Sequence, residues 1–410
     1  MGPKNLTGES LRRPPLQLRA ANWISANLLP FGWIALLTGM FWVWDRALYH
    51  KLYYASLALP CFIALLLNRD ALKQLLRNPL IQVYLLFATY TLLSLAWSGT
   101  DNGTGSLIKR PLYVLLLLLA AGLIALRAPQ RIRCATEISA LIASLSGLLS
   151  LAYYLYAGGS QRFNGYGALY NPLLSAHVYG FFAALWLSLW FLRRNPREPL
   201  ALASLGVLGV LIICTGSRTP LVGLSASLLW LALICWNKRS LLALALGMLA
   251  TVALLLLSPE SLTQRGLSYR PEIWAEAWQH ILQKPWLGHG YDHPMSLWIA
   301  GIEYAFADPH NMELAVLYYG GAIGFALWAL LYAVAFRFAW RNRRQPLALI
   351  GSTLLVFGLA AGLTEGGAFI SRPKEHWFLI WIPMAILVAA WFSQSPRGEG
   401  SQAPAEQEKA

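Results

Sequence analysis

The chain is a series of apolar runs, most of them long enough to cross a bilayer, and this pattern constrains its fold more than any motif. About twenty consecutive apolar residues span the hydrocarbon core as a helix. In lipid the backbone has no water to bond, so each spanning segment must satisfy its own N–H and C=O groups. Twelve spans are predicted, over residues 23–44, 52–68, 80–98, 111–126, 134–157, 173–192, 199–214, 220–236, 240–257, 312–336, 346–363 and 376–393. Of the 410 residues, 57% are hydrophobic and only 12% charged, about half the charge of an ordinary soluble domain. The expected fold class is an all-α polytopic membrane protein.

The net charge of +14 resembles a nucleic-acid signal, but its distribution follows a membrane, and no nucleic-acid partner is expected. With the N-terminus in the cytoplasm, 21 of the 32 Lys and Arg fall in inside segments and 11 in outside ones. That bias is the positive-inside pattern and predicts that both termini are cytoplasmic. The expected organisation is a tail over 1–22, nine spans over 23–257, an outer loop over 258–311, three spans over 312–393 and a polar tail over 394–410. Lys4, Arg12, Arg13 and Arg19 interrupt the first twenty residues, so no cleavable signal peptide is predicted. Cys61, Cys134, Cys214 and Cys235 are dispersed and read as packing residues.

No GxxxxGK[ST] loop, HExxH pair or zinc-spaced Cys/His cluster occurs, so no nucleotide, metal or other cofactor is expected. Few charges sit mid-span, which argues against an ion pathway. Chemistry is therefore expected at the outer face, on a substrate that arrives already activated. The 258–311 stretch holds Arg265, Arg270, four of seven histidines and six of eighteen carboxylates.

Outer cations run against the positive-inside bias. Arg218 lies in the turn CTGSRTP, where Ser217 or Thr219 is expected to cap the next helix and Pro220 to occupy its first position. Arginine beside a helix N-terminus suits a phosphate. Arg265 and Arg270 precede an amphipathic helix, PEIWAEAWQHILQ. Its apolar face carries Ile273, Trp274, Ala277, Trp278, Ile281 and Leu282, and it should lie in the outer interface. A guanidinium binds a diphosphate bidentately and stays charged at any working pH. His310, in DPHN, follows Asp308 as expected N-cap; the helix end and nearby arginines should keep it neutral, as a general base requires. Arg162, Tyr166, Tyr170, Asn171 and Asn311 are possible substrate contacts. Lys109, Arg110, Glu365, Arg372 and Lys374 are further outer charges. His289 and His293 in HGYDH are weak metal candidates.

Arg218 in a short outer turn, then RPEIWAEAWQHILQKPWLGHGYD, then DPHNMELAVLYYGG together resemble the O-antigen ligase and O-antigen polymerase superfamily of bacterial inner-membrane glycosyltransferases. The specific part is Pro-x-x-Gly-x-Gly over 285–290, then His310-Asn311, then Gly320 and Gly321. The resemblance covers residues 200–325 by motif and the first 200 only by topology. It implies a GT-C-like enzyme that needs neither nucleotide sugar nor metal and acts on the periplasmic face. The donor would be a glycan on undecaprenyl diphosphate. The acceptor would be lipid A–core in the ligase branch, or another lipid-linked repeat unit in the polymerase branch. Carried onto this chain, Arg218 and Arg265 or Arg270 would hold the diphosphate, and His310 would activate the acceptor hydroxyl or assist the leaving group. A single large outer loop and a short 157–172 loop favour the ligase branch.

Overall fold

The computed structural model describes residues 15–159, 162–192, 198–236, 238–257 and 269–394. Among these, regular structure is helical apart from one isolated antiparallel bridge between Leu297 and Phe306. Seven helices are long and apolar enough to cross a membrane: Leu16–Phe41, Arg46–Leu67, Pro79–Trp97, Thr104–Arg127, Pro129–Tyr156, Pro172–Phe191 and Met312–Arg341. The other five expected spans coincide with shorter apolar helices, Glu198–Cys214, Thr219–Cys235, Ser240–Leu249, Pro346–Gly362 and Trp381–Phe392.

Several boundaries differ from expectation: Arg46–Leu67 and Thr104–Arg127 begin before the expected 52 and 111, Pro129–Tyr156 begins before 134, and Met312–Arg341 runs past 336. The first helix starts at Leu16 rather than 23, extending over residues expected in the tail. The last expected span is divided at Ile380 into His376–Leu379 and Trp381–Phe392. Pro383 explains the division: it has no N–H to offer the carbonyl of Leu379 four residues back.

Apolar residues all around a helix mark an interior position. Pro172–Phe191, Pro346–Gly362 and Trp381–Phe392 are buried on nearly every side. Trp381–Phe392 packs on Thr104–Arg127 and on Pro346–Gly362, and the latter also packs on Thr219–Cys235. At ~1.5 Å per residue Pro346–Gly362 is about 26 Å long, which a helix sheltered by protein on all sides can tolerate. Pro129–Tyr156 is peripheral: only 22% of its apolar window is buried, and Leu145, Leu148 and Leu149 are exposed.

The Met312–Arg341 helix is broken at Gly321, which has φ 59° and ψ −163°. Residues 285–290 fill the break. The N–H groups of His289 and Gly290 donate to the carbonyls of Tyr318 and Tyr319 at 2.8 and 2.9 Å. The N–H groups of Ala322 and Ile323 donate back to Pro285 and Trp286 at 2.8 and 3.2 Å. The Tyr90 hydroxyl closes the junction on the carbonyls of Gly320 and Leu287. A methyl group on Gly288 would lie 2.4 Å from the Gly321 nitrogen, and one on Gly321 would lie 2.4 Å from the Trp286 oxygen. The Pro-x-x-Gly-x-Gly run is thus an inset that repairs an interrupted helix.

The amphipathic helix spans Arg270–Gln283. Its packed face is narrower than expected: Ile273, Ala277 and Ile281 meet Met295, Leu297 and Tyr318, whereas Trp278 and Leu282 stay exposed.

Candidate functional site

Side chains from distant loops meet at one end of the bundle. His310 stands just before Met312–Arg341 with φ 49°. Its backbone N–H donates to Asp308 Oδ1 at 2.7 Å, so Asp308 supports the turn. The N-cap is Asn311 and not the expected Asp308: Asn311 Oδ1 accepts from the Leu314 N–H at 2.9 Å. The amide of Asn311 donates to the Leu363 carbonyl at 2.9 Å, clamping the loop after Pro346–Gly362 onto this helix start. Both ends of Asn311 are engaged with backbone. Trp274 of the amphipathic helix donates from Nε1 to the Pro309 carbonyl at 3.1 Å, pinning the other side of the turn.

Glu365 links the expected residues. Its Oε1 lies 3.0 Å from His310 Nδ1, and its Oε2 accepts from Arg270 Nη2 at 3.2 Å. Arg270 Nε also donates to the Thr364 carbonyl at 2.8 Å. Because the carboxylate is buried at 5% exposure, both contacts are weakly screened.

This reverses the direction expected for the histidine. The hydrogen bond to Glu365, with the charges of Glu365 and Asp308, raises His310 above the ordinary 6.5 against burial and Arg270. Burial alone would push Glu365 up, but the bond and charge of His310, with His177 and Arg270, hold it below the ordinary 4.5. Burial raises Asp308. The helix end and arginines, visible locally, are outweighed by a carboxylate from another loop.

Arg218 occupies the N-cap position of Thr219–Cys235. Neither Ser217 nor Thr219 caps this helix with its side chain, in contrast to expectation; Thr219 is the first helical residue, and the Ser217 hydroxyl is buried without a hydrogen-bond partner. Thr219 lies 3.3 Å from the Thr364 hydroxyl, hydroxyl to hydroxyl. The same Thr364 therefore receives Arg270 on its carbonyl and faces the Arg218 turn with its side chain. Arg162 joins this edge, donating to the Thr215 carbonyl, while the Phe163 N–H bonds Cys214 at 3.0 Å. Arg265 lies outside the described residues.

The aromatic candidates make separate contacts. Tyr166 packs edge-on against Tyr153 and Phe163. Tyr170 is 57% exposed and lies under the Arg46 guanidinium, 4.9 Å from its ring centroid. Arg46 in turn bonds the fully buried Glu375 at 2.6 Å. Asn171 is the N-cap of Pro172–Phe191, accepting from Leu173 and Leu174. The HGYDH histidines contact backbone: His289 Nε2 lies 2.9 Å from the His280 carbonyl, and His293 Nδ1 meets the Ser98 carbonyl.

Among the described residues, the non-glycine positions with φ well into the left-handed region adjoin this end. They are Tyr269 before Arg270, Asp292, and His310. Such backbone persists where surrounding structure over-determines it, often at functional sites.

Residues 203–329 match the family model described as O-Antigen ligase. Over 385 residues, covering 93% of this chain and 96% of the relative, the sequence is 54% identical to a Pseudomonas aeruginosa protein named O-antigen ligase.

Proposed function

The chain belongs to the O-antigen ligase family, and we propose that it transfers an O-antigen glycan from undecaprenyl diphosphate to a sugar hydroxyl of lipid A–core. The reaction takes place on the periplasmic face of a bacterial inner membrane. The protein is a GT-C-like bundle of twelve spans with both termini cytoplasmic.

The observation that carries this reading is the His310–Glu365–Arg270 chain beside the Arg218 turn. A carboxylate only accepts hydrogen bonds, so it holds the proton of a neutral His310 on Nδ1 and leaves Nε2 as the base. Nε2 takes the acceptor hydroxyl proton as the oxygen attacks the anomeric carbon. The bond from that carbon to the diphosphate oxygen breaks, and undecaprenyl diphosphate leaves with the electron pair. Arg218, Arg270 and Arg265 stabilise its charge, a task that needs no metal or nucleotide. Direct displacement inverts the anomeric configuration.

Deletion followed by lipopolysaccharide gels tests the reading. The expected result is lipid A–core without O-antigen, while undecaprenyl-linked polymer accumulates. One repeat unit left on the core would instead indicate a polymerase, and an unchanged ladder would remove both.

A further inference from the structure

At the end of the bundle away from His310, a cavity of about 720 Å³ opens among the ends of four helices. Arg133 enters it near the start of Pro129–Tyr156, and Arg343 and Arg344 enter from the turn that precedes Pro346–Gly362. Phe191, Ile234 and Leu349 give it an apolar wall, and no carboxylate lines it among the described residues. The Met312–Arg341 helix separates it from His310; its thirty residues at ~1.5 Å each amount to about 45 Å of helix. The cavity is thus remote from the transfer site, and its volume lies within the ~300–1,000 Å³ of ordinary ligand pockets.

A positive-inside bias alone scatters cations over loops. Here arginines from two segments far apart in sequence converge on one hollow. Arg343 is held in place for an anion: Nη1 donates to the Trp340 carbonyl at 3.0 Å, and the guanidinium lies 5.4 Å from the Trp340 ring. That fixes the planar fork before a ligand arrives. Arg133 bonds Glu137 through Nε at 2.9 Å, whereas Arg343 and Arg344 pair with no carboxylate among the described residues. A phosphate offers two oxygens to each guanidinium fork. The apolar wall has no use for a free ion but suits the first carbons of an acyl chain. Trp236 and Trp340 are exposed at this end, as tryptophans at the depth of lipid headgroups are. We propose that this cavity binds the phosphate headgroup of an anionic phospholipid, in the leaflet opposite the transfer site. Binding there needs neither glycan substrate, so it stands apart from the transfer reading.

Native mass spectrometry of the purified full chain tests it, with phosphatidylglycerol, phosphatidylcholine and inorganic phosphate as probes. The wild type should retain phosphatidylglycerol about tenfold or more over phosphatidylcholine, and millimolar phosphate should not displace it. The double variant Arg343→Gln, Arg344→Gln should lose that preference. The control Lys73→Gln, Arg77→Gln, which removes exposed cations outside the cavity, should keep it. Equal retention of the two lipids by the wild type overturns the proposal, and so does a preference that survives in the Arg343 and Arg344 double variant. Equal loss in the control also overturns it, because net charge then selects the lipid. Displacement by inorganic phosphate overturns the lipid assignment, because the site then takes the anion alone. Thermal midpoints in lipid-free detergent equal to the wild type show that the variants are folded. If the double variant is not, Arg344→Gln at its exposed position carries the same test.

Discussion

A carboxylate that accepts from both a histidine and an arginine sets the charge of both. Glu365 raises His310 above 6.5, and a base works only when unprotonated, so turnover should rise with pH through an inflection above that value. Glu365→Gln removes the charge and should move the inflection acid-ward and lower kcat. An unmoved pH–rate profile would separate His310 from Glu365. Stability should follow the same pair. The raised histidine contributes fully below its unfolded value of ~6.5, and the depressed glutamate contributes above its unfolded value of ~4.3. The thermal destabilisation of Glu365→Gln should therefore be largest between about pH 5 and 6 and shrink as pH rises through the folded His310 value. The sequence singles out Arg218, Arg270 and His310 because cations in expected outer segments oppose the positive-inside bias and the motif spacing is specific. Glu365 was one outer charge among several, 55 positions after His310, and no local pattern joins the two. The direction of the His310 shift was not legible for the same reason.

At the scale of elements, the inset at Gly321 is what couples residues 285–290 to the Met312–Arg341 helix. Four backbone hydrogen bonds cross the junction, and a side chain at Gly321 meets both positive φ and the Trp286 carbonyl. Gly321→Ala should destabilise the protein by ~1–3 kcal/mol or more, read as a lower thermal midpoint in detergent. A midpoint equal to the wild type would mean that the break can close. Hydropathy could not reveal this feature, because the run around Gly320 and Gly321 contains no proline and reads as an ordinary span. The amphipathic helix was legible from its period, but its buried stripe was not: packing on Met295 and Leu297 selects Ile273, Ala277 and Ile281 and leaves the tryptophan at 278 outside.

Across the whole molecule, charge asymmetry and the site must lie on consistent sides. Glu303 is exposed in the loop before the Met312–Arg341 helix, and Arg343 follows that helix at the opposite end. In a chain freed of its native cysteines, Glu303→Cys should react with an impermeant maleimide in intact spheroplasts. Arg343→Cys should react only after permeabilisation. The reverse pattern would invert the topology and put the site in the cytoplasm. The central claim, that the His310 end of the bundle performs the transfer, is tested most directly with purified protein, undecaprenyl-diphosphate-linked glycan and lipid A–core, without added nucleotide or metal. The wild type should join glycan to core, and His310→Ala should lose about 10²–10⁴-fold in kcat while donor binding persists. Wild-type turnover in His310→Ala would contradict the account.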